Sequence, residues 1–588
     1  MTTAKSFKRA ATLADLRKTG LLTVQLDGHT VALFEHAGKV YGVDNRCPHM
    51  GFPLDKGTVQ DGILTCYWHY ARFDLATGGT FDQFADDVRS FPVEVRDDEI
   101  YVDVALHHDP RTHQRERLRI GLERDISLVM GKAVMTLLDS DDELWAGDAV
   151  EPFRAGLLFG AKNRQAGWGQ GLTMHVVFMN LLPHLNPEDR PRALFHGLAA
   201  VARDSIGHAP RFCVPPLPGK PKDLATLKRW FRQFIEVRDS EGAERCIVSA
   251  LQAGADHRQL ADMLFAAVTD HRYIDVGHPL DFTNKAFEAL DIVGWEYAET
   301  VLTSLVMGYA NAMRREESNA WRNPVDLIET LAGAFAELPE AVAAGAKMAE
   351  GQDASQQHKA LVEVLLGDEP QATVNALLDA LRNGYPMEEL AKTVAYVAAL
   401  RIARFHTSNE FGDWDTALHT FTFANAVHQG LLRSPSVELL RGVFDAAMSI
   451  YLDRFLNIPA ARLPTPNGKV ENQPQHLREL TALLDRQQQV NQAGEKLAHF
   501  VYGGGDDEAL LAQLGKLLLR EDRDFHTTQS VEAAIRQYGY WQGEPEGTHI
   551  LVAAIRYLAA HAPTVRAQGQ TYEIARRLHR GERLFEGE

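Results

Sequence analysis

Four residues in one short stretch have the types and spacing of a metal site. One residue separates Cys47 from His49 and two separate Cys66 from His69, with sixteen residues, Met50 to Thr65, between the pairs. Two thiolates and two imidazoles can do two kinds of chemistry. Zinc takes such a set in a closed tetrahedral site. A 2Fe–2S cluster takes it with both thiolates on one iron and both imidazoles on the other. Neutral imidazoles in place of anionic thiolates lower the negative charge on the cluster and raise its potential above that of an all-cysteine centre. Zinc sites seldom pair Cys and His across a single residue, as Cys47 and His49 are paired, so the spacing favours the cluster.

The flanking text resembles the Rieske family over residues 5–105. Gly51 and Pro53 follow the first pair. Ala71-Arg72-Phe73-Asp74-Leu75-Ala76-Thr77-Gly78 follows the second, similar to the Ala-Arg-Phe-Asp…Thr-Gly tail of bacterial Rieske ferredoxins. The resemblance implies that Cys47, His49, Cys66 and His69 hold a 2Fe–2S cluster. It also sets the sub-class. Quinol-oxidising members carry a further Cys in each ligand loop, where this chain has Phe52 and Trp68, so no bridging disulfide is expected. High-potential members place Ser and Tyr where this chain has Ala71 and Phe73. Without those hydrogen bonds the resemblance implies a centre near the low end of roughly −150 to +300 mV. Tyr67 and Tyr70 stand where most such ferredoxins have Pro and Gly.

At 588 residues the chain exceeds one compact domain. A formal charge of −18 argues against nucleic acid and against an anionic membrane face. Four cysteines in so long a chain fit a reducing compartment. The N-terminal residues have no apolar h-region, and no apolar run approaches about 18 residues, so neither a secretory signal nor a membrane span is expected. The expected location is the cytoplasm.

The elements that must position the four residues read as short strands. Leu22–Leu26 and Thr30–Phe34 alternate across Asp27-Gly28, a hairpin signal, and Val93–Val95 and Ile100–Val102 flank Asp97-Asp98. Lys39–Val43 leads into the first ligand loop and Ile63–Thr65 into the second. After residue 106 the apolar period changes from two to 3.6, and a helix is expected over Arg117–Leu138. Nearly everything beyond it reads as helix, with loops at Pro210–Pro221 and Pro459–Pro474. The expected architecture is multidomain: a small antiparallel β Rieske domain (1–105), a linker (106–116), an all-α repeat-like or bundle domain (117–458) and a C-terminal all-α region (459–588). Gly197–Asp204 resembles Leu264–His271, and Asp281 with Lys285 matches Asp415 with His419, a weak sign of helical-hairpin repeats.

A Rieske centre moves one electron and has no open position for a substrate, so a second site is sought in the helical part. The Asp-x2-His-x4–5-His iron motif of Rieske oxygenases is absent. Four clusters stand out. His175 and His196 lie in apolar helices and read as buried core histidines. Asp270–Glu288 brings His278, Asp281, Lys285 and Glu288 together at a helix junction, where the bland alternative is a cap and an Asp281–Lys285 surface pair. Arg404–His428 holds His406, Asp415 and His419; Asp415 and His419, at i and i+4, can act as metal ligands or as an acid–base pair, and the alternative is capping by Asp413. Asp524–Glu532, with His526, reads chiefly as a helix cap. If the repeats are real, His278, Asp281, His406, Asp415 and His419 face one cavity and are the candidate catalytic set.

The expected function is that of a Rieske oxidoreductase. Electrons from a reductase or ferredoxin would pass through the 2Fe–2S cluster to a non-haem metal or organic cofactor in the helical domain, for oxygen-dependent oxidation of a small organic substrate. The resemblance to Rieske oxygenases, which pass electrons between subunits, adds a homo-oligomer. The alternative is an electron-carrier or redox-sensing binding protein whose helical domain is a partner-docking scaffold.

Overall fold

The computed structural model describes residues 6–105, 110–138, 145–220, 222–348, 354–466, 468–582 and 584. Ten strands come first: β1 (Lys8–Thr12), β2 (Leu21–Leu26), β3 (His29–His36), β4 (Lys39–Asp44), β5 (Thr58–Gln60), β6 (Ile63–Thr65), β7 (Arg72–Asp74), β8 (Ser90–Phe91), β9 (Val93–Arg96) and β10 (Glu99–Val102). They form three antiparallel sheets in the orders β1-β10-β9, β2-β3-β4-β8 and β5-β6-β7. The turn residues place two of the hairpins. Asp27 (φ 47°) with Gly28 (φ 81°), and Asp97 (φ 48°) with Asp98 (φ 63°), are left-handed pairs, as two-residue type I′ turns demand.

Strand β3 is buried on both faces, and its period of two separates two cores. Val31 and Leu33 join Leu16, Ile100 and Val102. Ala32 and Phe34 point the other way, into the cluster that contains Cys47, Cys66, Leu64 and Phe73. The two sulfurs therefore lie inside an apolar core.

The rest of the described chain is helical, and it divides differently from the sequence boundaries. One compact unit comprises residues 1–155 with 567–588, and the other residues 156–566. Residues 106–109 of the expected linker lie outside the described residues, and a helix already begins at Pro110, where a proline suits the first turn. The single helix expected over Arg117–Leu138 is two, Pro110–Arg124 and Ser127–Leu138, because Asp125 adopts φ 51° and breaks the run. The C-terminal helix Ala567–His579 belongs to the first unit: the buried Tyr572 hydroxyl reaches the Met135 sulfur at 3.9 Å. Residues 210–220 carry no helix or strand, as expected. Cys213 and Cys246 are free thiols. Among the described residues no helix is long and apolar enough to cross a membrane.

Candidate functional site

The two ligand loops close with the same hydrogen bonds. Cys47 N–H donates to the Phe52 carbonyl (2.8 Å) and Gly51 N–H to the Cys47 carbonyl (2.7 Å). Cys66 N–H donates to the Ala71 carbonyl (2.9 Å) and Tyr70 N–H to the Cys66 carbonyl (3.0 Å). In both loops the fourth residue after the cysteine is left-handed: Gly51 at φ 80° and Tyr70 at φ 59°. This geometry suits glycine, and a tyrosine there costs about 1–2 kcal/mol. Tyr70→Gly is expected to stabilise this unit by up to about 1 kcal/mol, net of the glycine's extra unfolded-state entropy. A urea melt followed by the visible circular dichroism of the loaded protein reads it.

The donors converge. The Cys47 and Cys66 thiols are each 1% exposed and hydrogen-bond to each other. That bond holds the Cys66 thiol down to about 6, while it and burial push Cys47 up. A second thiolate there needs a cation beside it, which iron supplies. The His49 and His69 rings are 4.8 Å apart. Burial, with His69 and Lys132 nearby, pushes His49 down to about 4, so it is neutral and able to ligate, and its Nδ1 is buried without a hydrogen-bond partner. Two buried thiols, an orphaned imidazole nitrogen and a second imidazole fit a 2Fe–2S cluster bound through two sulfur and two nitrogen donors. His69 is exposed, among exposed Tyr67, Trp68 and Tyr70.

The two helices that follow the β domain hold the first loop. Phe84 packs edge-on against His49, with centroids 4.9 Å apart. The loop carrying Phe84 is clamped by the helix Pro110–Arg124. Arg117 donates to the carbonyls of Gln83 (3.0 Å) and Ala85 (2.6 Å) and pairs with Asp86 (3.2 Å). Asp86 also takes His113 Nε2 at 2.7 Å and Gln114 Nε2 at 2.8 Å. Burial alone would raise the Asp86 carboxyl, but these bonds hold it at about 2, and Asp86 in turn raises His113. Half-buried Lys132, on the helix Ser127–Leu138, donates to the Pro48 carbonyl and approaches that of His49 at 3.4 Å. Burial lowers its ammonium to about 8, which leaves it charged at pH 7. A positive charge beside the loop that carries His49 favours the reduced cluster, by on the order of tens of millivolts at an effective dielectric of about 20. Lys132→Met is expected to lower the potential by that order in a redox titration.

In the helical unit, His278 and His419 meet as the clusters suggested, and the third partner is His526. Ring centroids are 5.0 Å apart for His278–His419, 4.6 Å for His419–His526 and 5.8 Å for His278–His526. One nitrogen of each lies within 4.8 Å of the others. His419 Nδ1 donates to the Asp415 carbonyl at 2.6 Å, which fixes its tautomer and leaves Nε2 as the lone-pair nitrogen. His526 Nε2 is buried without a hydrogen-bond partner. Burial, with the neighbouring imidazoles, pushes His278 down to about 3 and His419 to about 4, so both are neutral at pH 7.

His278 begins the helix His278–Val293 after a strained backbone run. Tyr273 (φ 40°), Asp275 (φ 41°) and the β-branched Val276 (φ 51°) are all left-handed. Each costs of order 1–3 kcal/mol and persists only where its surroundings enforce it. Here they do. Arg272 pairs with buried Asp445 at 2.9 Å, Asp275 N–H donates to the Met313 carbonyl at 2.7 Å, and the Tyr273 ring packs between Trp321 and Phe423.

The other candidates lie elsewhere or act differently. His406 does not join the group; its ring bonds locally to the Ser408 hydroxyl (2.8 Å) in the turn after its helix. The Asp415 carboxylate accepts from the Tyr557 hydroxyl at 2.6 Å, and it is the Asp415 carbonyl that bonds His419. Asp281 is 3% exposed, accepts from Gln529, and is pushed up to about 7 by burial. The expected Asp281–Lys285 surface pair is not formed: Lys285 is buried and binds Glu288 (3.0 Å) and Glu532 (2.9 Å). His175 is fully buried against Gly156 and Gly197. The sequence around His526 advertises a helix cap instead, and Asp524 is one, accepting from Thr527 N–H at 2.8 Å. Lys132, Asp86 and His113 carry no local motif that would have marked them.

The Rieske [2Fe-2S] domain family matches residues 6–92. The ferredoxin component of the p-cumate 2,3-dioxygenase system of Pseudomonas putida is 33% identical over 96 residues, 16% of this chain and 81% of that protein. Human apoptosis-inducing factor 3 is 28% identical over 179 residues, 30% of this chain; the chain spans only 27% of that relative's length. Among solved structures, the ferredoxin of carbazole 1,9a-dioxygenase from Nocardioides aromaticivorans IC177 is 30% identical, with 17% of this chain and 97% of that chain covered and a TM-score of 0.16. Buried sulfurs and an orphaned imidazole nitrogen agree with the family match and with the p-cumate dioxygenase ferredoxin: through its N-terminal domain this chain belongs to the Rieske [2Fe–2S] family and carries a Rieske-type 2Fe–2S cluster.

Proposed function

We propose that this chain is a Rieske-linked oxidoreductase that receives electrons from a reductase or a ferredoxin and delivers them to a second site in the helical unit, where dioxygen oxidises a small organic molecule. When bound, the 2Fe–2S cluster supplies the one-electron step. Cys47, His49, Cys66 and His69 are its assigned ligands. The Cys47 and Cys66 thiolates anchor it in the apolar core, Phe84 and Lys132 hold the His49 side, and exposed His69 with its aromatic rim offers the edge at which a donor docks. The free thiols of Cys213 and Cys246 support a reducing compartment such as the cytoplasm.

The observation that carries the second site is the convergence of His278, His419 and His526, from three helices, beside the buried Asp281–Gln529 pair. A docking scaffold has no use for three imidazoles that face one another. The second reading, an electron carrier with a helical docking scaffold, draws on the likeness to ferredoxin components of dioxygenase systems.

Oxygen uptake by the reductase-coupled protein, screened against small aromatic and heteroaromatic molecules, separates them. The oxidoreductase reading expects at least one compound to raise oxygen uptake tenfold or more and to be recovered oxidised. Rapid cluster reduction with no compound stimulating uptake would favour the carrier.

A further inference from the structure

The three helices that bring His278, His419 and His526 together are His278–Val293, Phe411–Arg433 and Phe525–Tyr540. Each imidazole arrives by a separate device. His278 is placed by the strained run ending at Gly277, held by the Arg272–Asp445 pair and by Tyr273 packed against Phe423. His419 lies inside its helix with Nδ1 tied to the Asp415 carbonyl, so Nε2 presents a lone pair. His526 follows the Asp524 cap and holds a buried Nε2 with no partner. Phe282 stacks on His278 at 5.5 Å and Phe525 packs against it at 5.4 Å, walling one side with apolar rings.

A hydrogen-bonded histidine network would pair these nitrogens with donors and acceptors. Instead His526 Nε2 is left unpaired, and one nitrogen of each ring lies within 4.8 Å of the other two. Tetrahedral coordination at bonds of about 2.0–2.1 Å brings such nitrogens to about 3.4 Å, a closure within reach of small side-chain rotations. The backbone carbonyl on His419 Nδ1 is the outer partner that metal-ligating histidines almost always have.

We propose that His278, His419 and His526 form a mononuclear site for a divalent first-row transition ion of the class that imidazole suits, Fe(II), Co(II) or Zn(II). Three protein ligands leave at least one position open to water or to an oxygen of a substrate. Three neutral imidazoles leave the ion's full double positive charge, which favours an anionic ligand there. The proposal gives a chemical identity to the second site of the oxidative reading and rests on that reading only for its role. Counting metal tests the site whether or not any oxidation is found.

Co(II) is the probe. The full chain is loaded with its cluster and kept oxidised, a state without an EPR signal, so high-spin Co(II) is seen unobscured. After anaerobic addition of Co(II) and gel filtration, about one cobalt per chain is expected, with imidazole nitrogen couplings in pulsed EPR. His278→Ala, His419→Ala and His526→Ala should each weaken Co(II) binding at least tenfold with the visible circular dichroism of the cluster unchanged. His526→Gln serves if an alanine variant fails to fold. The site is refuted if the wild-type chain retains no cobalt, if the retained cobalt lacks nitrogen couplings, or if the folded variants retain it as the wild type does.

Discussion

Lys285→Met destabilises the helical unit by about 3–5 kcal/mol, the expected cost of removing one partner from a buried ionic network. Lys285 is 1% exposed, and its ammonium binds Glu288 at 3.0 Å and both oxygens of Glu532, at 3.0 and 2.9 Å. Asn180 donates to both carboxylates and Arg536 binds each at 2.7 Å, so two acids face two bases. Methionine preserves volume but leaves two buried carboxylates against one guanidinium. The pH dependence follows with a definite sign. Burial would raise Glu532, but Arg536 and Lys285 hold it at about 2, so its stabilisation is present above the unfolded value of about 4.3 and lost as pH falls through 2. Burial would lower Lys285, but the two carboxylates raise it; its contribution is full below about 10.4 and is lost only as pH rises through the higher folded value. Thermal melts by far-ultraviolet circular dichroism should show wild-type stability falling between about pH 4 and pH 2, and the variant both less stable at pH 7 and flatter in acid. An unchanged melting temperature at pH 7 would refute the network's role.

Asp86→Ala is the second large effect, on the cluster side. Asp86 takes Arg117, His113 and Gln114 at once, and Arg117 is 5% exposed. Truncation strands a buried guanidinium, with an expected loss of about 3 kcal/mol or more. It also removes the ties of the Asp86 carboxylate to His113, Gln114 and Arg117, leaving the Arg117 bonds to the Gln83 and Ala85 carbonyls, and so loosens the loop whose Phe84 ring packs against His49. The loaded variant should lose its visible circular dichroism at a lower temperature than the wild type and release iron faster to a chelator. Asp86→Asn should fall between the two, since it keeps acceptor geometry without the charge. Equal iron release from all three proteins would mean that the clamp does not steady the cluster.

Much of the cluster end was legible because its chemistry is local. Cys47, His49, Cys66 and His69 sit within one stretch, the hairpins follow from alternation around Asp27-Gly28 and Asp97-Asp98, and Tyr70 stood out as a residue in a glycine's place. What positions the ligands was hidden because it arrives from far along the chain. Lys132 reaches Pro48 across 84 positions, and Arg46 meets the Leu578 carbonyl across 532. No spacing rule carries such information. In the helical unit, the i, i+4 pattern pairs Asp415 with His419, but Asp415 meets it through a backbone carbonyl that every residue has. His278 was singled out by polar density, though the strained Tyr273–Val276 backbone that aims it is invisible in a residue string. His526 was masked by the cap beside it, and His406 drew notice from a place in sequence that is not a place in space.

Metal content with the EPR spectrum of the anaerobically reduced protein tests the central claim most directly, on the wild-type chain and on Cys66→Ser. The account predicts two cluster irons per wild-type chain with a Rieske-type signal, both lost in Cys66→Ser. Zinc in place of iron, or iron without that signal, would contradict it.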